Sequence, residues 1–358
     1  MVESVVWSSS VALGFTVLYA SISFSIAFRA NEQGQYENSR PVYFYIEGKT
    51  RECRYCYVGG VNKLNQQTEQ LSPLSSRPTY TETENDLTVK ANKRTFIFSK
   101  KDGQLKGVSV DNRKINFANG PRFIGARRAD RSLDQFYNHD DEKAKEKDRT
   151  YSEFPDAAVF TKLDVKQDGG DLVVTANYKL GNLDKAQWTI NPSGDLALDY
   201  TYNFSGVVDL MGIRFDYPED QVISKRWLGA GPYHVWQNRI HGTQYDVWEN
   251  DYNDPIPGET FTYPEFKGYF GDVSWMNIQT KEGTISLTNE TPDAYIGVYQ
   301  PRDGRDRLLY TLPESGISVL NVIPPVRNKV NSTDLCGPSS QPKWVNGPQT
   351  GRVIFRFM

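Results

Sequence analysis

From Tyr80 onward the chain is built of short stretches in which apolar and polar residues alternate. Leu87-Thr-Val-Lys90, Thr95-Phe-Ile-Phe98, Gly107-Val-Ser-Val110 and Lys114-Ile-Asn-Phe117 repeat with a period of two, which places alternate side chains on opposite faces of a strand. Lys101-Asp-Gly-Gln104 and Asp111-Asn-Arg113 divide them and predict hairpin turns. Ala158 to Val165, Leu172 to Tyr178, Ala186 to Ile190 and Leu196 to Phe204 continue the pattern, separated by Asp168-Gly-Gly170 and Pro192-Ser-Gly-Asp195. No stretch after Tyr80 keeps a helical period except the charged run Asp140 to Arg149, which reads as a solvated loop or a short surface helix. Strands at this spacing with no helices between them predict a large all-β antiparallel sandwich over residues 79–358. They exclude a (β/α)₈ barrel, whose strands each need a following helix. No internal repeat of fixed period is present.

The first 78 residues have a different texture. Ser4 to Phe28 carries no charge and ends at Arg29, a length that can span a bilayer. It is rich in Ser, Ala and Val, and Glu3 precedes it where an export signal has a basic residue. Residues 1–28 are therefore expected to be an apolar signal or membrane anchor. Such a segment gives an exported or membrane-anchored protein, periplasmic or extracellular, with membrane contact through residues 4–28. Residues 29–78 are polar and read as a linker, most plainly from Asn62 to Pro78.

A net charge of −3 over 358 residues, with no contiguous basic stripe, excludes nucleic acid as a partner. Aromatic residues make up 13 % of the chain, with 21 Tyr and 7 Trp, enough to furnish a sandwich core and leave ring faces for a ligand. Of the three cysteines, Cys53 and Cys56 form a single C-x-x-C and Cys336 lies far away. With three histidines in the chain this makes neither a four-ligand zinc site nor a thioredoxin-type motif, which needs a βαβ setting. No cofactor is assigned.

The segment Tyr233 to Tyr252 concentrates groups suited to a sugar. Aromatic faces meet the C–H groups of the ring, and planar polar side chains meet its hydroxyls. The candidate carbohydrate-binding residues are Tyr233, His234, Trp236, Asn238, Arg239, Trp248 and Glu249. The same segment also reads as a long ordered loop with packed Trp residues and turn-capping acids. Glycoside hydrolysis needs two carboxylates roughly 5 to 9.5 Å apart. Glu249 with Asp251, two apart on a strand, or Glu259 with Glu265 are the pairs available, and nothing else marks either, so no catalytic residue is assigned. His234, His241 and Asp246 match no metal-ligand spacing, and Asn250-Asp-Tyr-Asn-Asp254 lacks the glycine and distal Glu of a calcium loop, so no metal is assigned. There is no nucleophile elbow, phosphate loop or dinucleotide fingerprint.

Four blocks in order resemble the C-terminal β-sandwich of family-2 glycoside hydrolases, the β-galactosidase type. They are Ala118-Asn-Gly-Pro-Arg-Phe123, Met211-Gly-Ile-Arg-Phe-Asp-Tyr-Pro218, Leu228-Gly-Ala-Gly-Pro-Tyr-His-Val-Trp-Gln-Asn-Arg239, and Tyr263 through Trp275. The resemblance covers roughly Tyr80 to Met358. It implies a galactose-mutarotase-like supersandwich that packs on a catalytic barrel and lends loops to the rim of its active site. Some members divide the polypeptide, so that a small subunit carries this domain as its own chain. The family's Glu-Asn-Tyr is replaced here by His234-Val235-Trp236 and its Asp by Asn238, while Arg239 is kept. The stretch Ile323 to Asp334 lacks the Trp that the family brings to its substrate, although Trp344 lies nearby.

The resemblance thus implies a carbohydrate-associated accessory domain of a glycoside hydrolase without its own catalytic carboxylate pair. Its partners would be a carbohydrate and a glycosidase barrel on another chain. The alternative is a free-standing sandwich that binds or modifies carbohydrate in the manner of an epimerase or lyase.

Overall fold

A computed structural model describes residues 43–46, 49–52, 76–128, 151–252, 268–298, 312–325 and 341–358. The apolar segment 4–28, the three cysteines, the charged run 140–149 and the pair Glu259 and Glu265 lie outside these residues. The chain divides into two units, Met1–Pro73 and Leu74–Met358. In the first, β1 (Tyr43–Ile46) and β2 (Lys49–Glu52) form an antiparallel hairpin within the segment read as linker.

The second unit is a β-sandwich. Its chain order begins with β3 (Thr79–Glu82), β4 (Asp86–Ala91), β5 (Arg94–Ser99), β6 (Leu105–Val110), β7 (Arg113–Ile115), β8 (Ala118–Arg128) and β9 (Tyr151–Glu153). Next come β10 (Val159–Asp168), β11 (Asp171–Lys179), β12 (Leu183–Ile190), β13 (Leu196–Val208) and β14 (Leu210–Asp216). It closes with β15 (Val222–Gly231), β16 (Gln244–Asp251), β17 (Trp275–Thr280), β18 (Gly283–Asn289), β19 (Tyr295–Gly297), β20 (Ile317–Val322) and β21 (Lys343–Phe357). Among the described residues the only helical turn is a 3₁₀ turn at Glu219–Gln221.

The strands form two large antiparallel sheets. One runs β10-β11-β12-β13-β21-β18-β17-β15-β16, and the other runs β19-β20-β14-β8-β6-β5-β4-β3 with β7 on β6 and β9 on β8. The turns between β5 and β6, β6 and β7, β10 and β11, and β12 and β13 fall where the sequence pattern puts them. At the β6–β7 turn Asp111 and Asn112 take φ of 50° and 64°, the paired left-handed conformation of a two-residue hairpin loop, which Asn and Asp tolerate.

The main core lies between the sheets and is dense in rings. Phe98, Phe117 and Phe215 come from one side, and Trp188, Phe355 and Phe357 from the other. Phe117 stacks on Phe215 at 4.7 Å, and Trp188 meets Phe98 at 5.9 Å and Phe215 at 6.0 Å. A second, smaller core covers the opposite face of β8, β14 and β20. It joins Ile124, Ala126, Leu210 and Leu320 to Val235, Trp236 and Tyr269. Two-sided burial explains why β14 reads as a run of buried residues rather than a clean alternation. It also fixes Gly212 in the centre of β14, where a Cβ would press on the Val319 carbonyl and the Leu320 Cα at under 3.0 Å.

Candidate functional site

The corner begins where β15 runs out through Leu228-Gly-Ala-Gly231 and reaches Pro232 across a cis peptide. Its glycines are steric necessities. A Cβ on Gly231 would enter the Trp248 indole, and one on Gly229 would meet the Gly271 carbonyl at 2.9 Å. Trp248, from edge strand β16, lies across this glycine strip and donates its indole N–H to the Gly229 carbonyl at 3.2 Å. Trp227, paired with Trp248 in the β15–β16 register, points into the core and donates to the Ala230 carbonyl at 3.0 Å.

After Pro232 the chain folds back on the sandwich. Val235 and Tyr269 exchange backbone hydrogen bonds of 2.7 and 2.8 Å, and Trp236 and Arg239 close a tight turn with bonds of 3.3 and 2.8 Å. The Gln237 backbone N–H donates to the Pro324 carbonyl at 3.0 Å, and its side-chain amide donates to the Gln341 carbonyl at 2.6 Å. These bonds fasten the loop at both ends.

The seven predicted site residues divide into two groups. His234 and Trp236 are 1 % and 2 % exposed, so their rings belong to the core. His234 packs on Phe270 at 4.3 Å, and Trp236 meets Tyr269 edge-on at 5.7 Å and 82°. Burial also pushes the Tyr269 hydroxyl well above its ordinary pKa. Arg239 and Glu249 are exposed, and Tyr233, Asn238 and Trp248 are half-buried. The Tyr233 hydroxyl donates to the His241 carbonyl at 3.1 Å and so braces the turn through Gly242.

Strand alternation separates two of the others. Glu249 faces outward opposite Arg226, 3.9 Å from its guanidinium, while Trp248 leans over the glycine strip on the other face of β16. Asp251 shares the face of Glu249 and stands opposite Ser224. His241 is exposed and His234 buried, and among the described residues no three His, Cys, Asp or Glu side chains gather as a metal site would require.

A second grouping gives no sequence signal, because its residues read as the solvated face of ordinary strands. On the outer face of the nine-stranded sheet, Arg352 of β21 binds Asp199 of β13 at 2.5 Å and Glu290 at 2.9 Å. Farther along β21, Arg356 holds both Asp195 oxygens, at 2.6 and 2.8 Å. Burial alone would raise the Asp195 carboxyl. Hydrogen bonding and charge from Arg356, with donors from Asn191 and Ser193, outweigh it and hold the group below its ordinary value.

Residues 90–324 match the family described as β-galactosidase small chain. No curated protein matches the chain. Among solved structures it is similar to a galactose 1-epimerase from Lactobacillus acidophilus NCFM, with 10 % identity, 79 % of this chain and 99 % of that chain covered, and a TM-score of 0.42. A galactose mutarotase-like protein from Clostridium acetobutylicum gives 9 % identity, 79 % and 99 % coverage, and a TM-score of 0.38. A GalM/aldose epimerase homologue from C. elegans gives 7 % identity, 78 % and 99 % coverage, and a TM-score of 0.34.

Proposed function

Because the chain belongs to the β-galactosidase small-chain family, we propose that this carbohydrate-associated sandwich is the accessory domain of a glycoside hydrolase, acting beside a catalytic barrel on another chain. The observation that carries the reading is the extent of the family match. Residues 90–324 take in most strands of both sheets, β3 and β21 excepted, and the whole corner from Trp227 to Arg239. The corner suits a rim rather than a catalytic centre. Its buried members hold the loop down: Trp236 joins the small core on β8, β14 and β20, and His234 packs on Phe270. Its accessible members Tyr233, Asn238 and Arg239, with Trp248 beside them, stand where a glycan or the partner surface would meet them, while Glu249 lies on the other face of β16 against Arg226.

The replacement of the family's Glu-Asn-Tyr by His234-Val235-Trp236 puts a buried imidazole and a buried indole in the corner. With the family's Glu, Tyr and Asp absent from these positions, the rim is expected to face a sugar other than a terminal galactoside. The test is a hydrolysis screen of the purified chain against aryl glycosides, alone and with a family-2 barrel chain from the same organism. Hydrolysis by the mixture beyond that of the barrel alone, reduced by Arg239→Ala, is the expected result. Turnover by the chain alone would replace this reading with a free-standing carbohydrate-modifying sandwich.

A further inference from the structure

The outer face of β13 and β21 carries side chains that the corner does not use. The register pairs Val207 with Trp344, Ser205 with Asn346, Asn203 with Pro348, Thr201 with Thr350, and Asp199 with Arg352. Along β21, exposed and half-buried residues alternate from Trp344 to Thr350. The intervening Val345 and the facing Phe204 pack on the core, so Trp344, Asn346, Thr350 and Arg352 share the outward face. Trp344 is 71 % exposed, which makes it the most exposed tryptophan among the described residues. At the other end, roughly 26 Å away at about 3.3 Å per residue, a cavity of about 390 Å³ is lined by Lys185, Asp199, Thr201, Glu290, Thr350 and Arg352.

The chemistry of this face narrows what it can hold. Arg352 pins Asp199 and Glu290 from one side and fixes both carboxylates, whose remaining lone pairs stay available as acceptors. Two cations and two anions line the cavity, so its formal charge is balanced. A polyanion would meet Asp199 and Glu290, and a cation would meet Lys185 and Arg352. Between the cavity and Trp344 stand Asn203, Ser205, Asn346 and Pro348; the three polar groups are uncharged donors and acceptors, and Pro348 with Val207 makes no apolar patch of the size a protein partner would bury. The Ser205 hydroxyl already donates to Asn346 at 2.8 Å across the strands. A flat, solvated indole at one end and fixed donors and acceptors at the other match a ligand with apolar ring faces and many hydroxyls.

The geometry points to a binding track for an uncharged linear oligosaccharide on the outer face of β13 and β21, where Trp344 stacks one sugar ring and the Asp199–Arg352–Glu290 cavity hydrogen-bonds another. The track is separate from the corner. It shares with the proposed function only the class of ligand and does not require the partner barrel.

The test titrates the full-length chain with neutral hexasaccharides (cellohexaose, xylohexaose and β-1,4-galactohexaose) and with hexagalacturonate, following heat and tryptophan emission. At least one neutral hexasaccharide is expected to bind, its trisaccharide more weakly, and hexagalacturonate not at all. Trp344→Ala is expected to weaken binding about tenfold or more, Trp344→Phe less, and Thr201→Val with Thr350→Val measurably. Leu180→Ala, a change at an equally exposed apolar residue elsewhere, should leave binding alone. An unchanged unfolding midpoint in Trp344→Ala would show that the loss is not a folding defect. Failure of all neutral hexasaccharides to bind, or full affinity in Trp344→Ala, overturns the track. Loss in Trp248→Ala with full affinity in Trp344→Ala also overturns it, by moving the glycan to the corner, and leaves the accessory reading intact.

Discussion

Replacement of Trp236 by alanine tests whether the corner is held by its buried rings. Trp236 is 2 % exposed, meets Tyr269 edge-on at 5.7 Å, and shares a core with Ile124, Leu210 and Leu320. A buried tryptophan removes about 150–250 Å² from water, which at about 25 cal/mol per Å² amounts to about 4–6 kcal/mol. That is an upper bound, because an unfolded chain already hides part of this area. Measured Trp-to-Ala costs of about 3–5 kcal/mol agree with it once partial collapse of the cavity is allowed. In urea, with an m-value of about 3 kcal/mol/M, the midpoint should fall by about 1 M or more. Arg239→Ala, three positions on but exposed, should change stability by no more than about 0.5 kcal/mol. A Trp236→Ala midpoint shift as small as that of Arg239→Ala would refute the burial argument and return Trp236 to the list of accessible rings.

Other consequences can be checked in the same way. Gly212→Ala should prevent folding, since its Cβ meets backbone on β20 at under 3.0 Å and neither strand can yield; a soluble product with native near-UV circular dichroism would contradict this. Gly231→Ala should eject the Trp248 indole from the glycine strip and red-shift tryptophan emission without unfolding the domain. Arg356→Met should cost about 1–3 kcal/mol at pH 7, because it leaves a largely buried Asp195 without its charged donor. The folded pKa of Asp195 is depressed, so the stability it contributes is present above the unfolded value of about 3.9 and is lost as pH falls through the folded value. The difference between wild type and Arg356→Met urea midpoints should therefore shrink below about pH 4.

Strand identity was legible in the sequence where one face of a strand is buried and the other wet. Leu172 to Tyr178, Ala186 to Ile190 and Leu196 to Phe204 all became strands, and the Asp111-Asn-Arg113 turn took the positive φ angles that Asn and Asp permit. Pairing over long separations was not legible. β13 finds β21 at the far end of the chain through thirteen residue pairs, and local alternation carries no information about which strand lies beside it. The corner was legible as a landmark but not in its burial. His234, Trp236 and Trp248 look alike as polar-tipped rings in a loop. Tertiary packing alone separates them: Trp236 is drawn into the second core on β8 and β14, and His234 is buried against Phe270 of the main core. The Asp199–Arg352–Glu290 grouping was invisible because its members come from three separated segments, each with the charged-outward pattern of any surface strand.

The most direct test of the accessory reading is hydrolysis measured with two purified chains, this one and a family-2 catalytic barrel from the same organism, each alone and then mixed. The mixture is predicted to hydrolyse its glycoside faster than the barrel alone and to elute as one complex, with no turnover by this chain by itself. Steady turnover by this chain alone would contradict the claim that catalysis resides elsewhere.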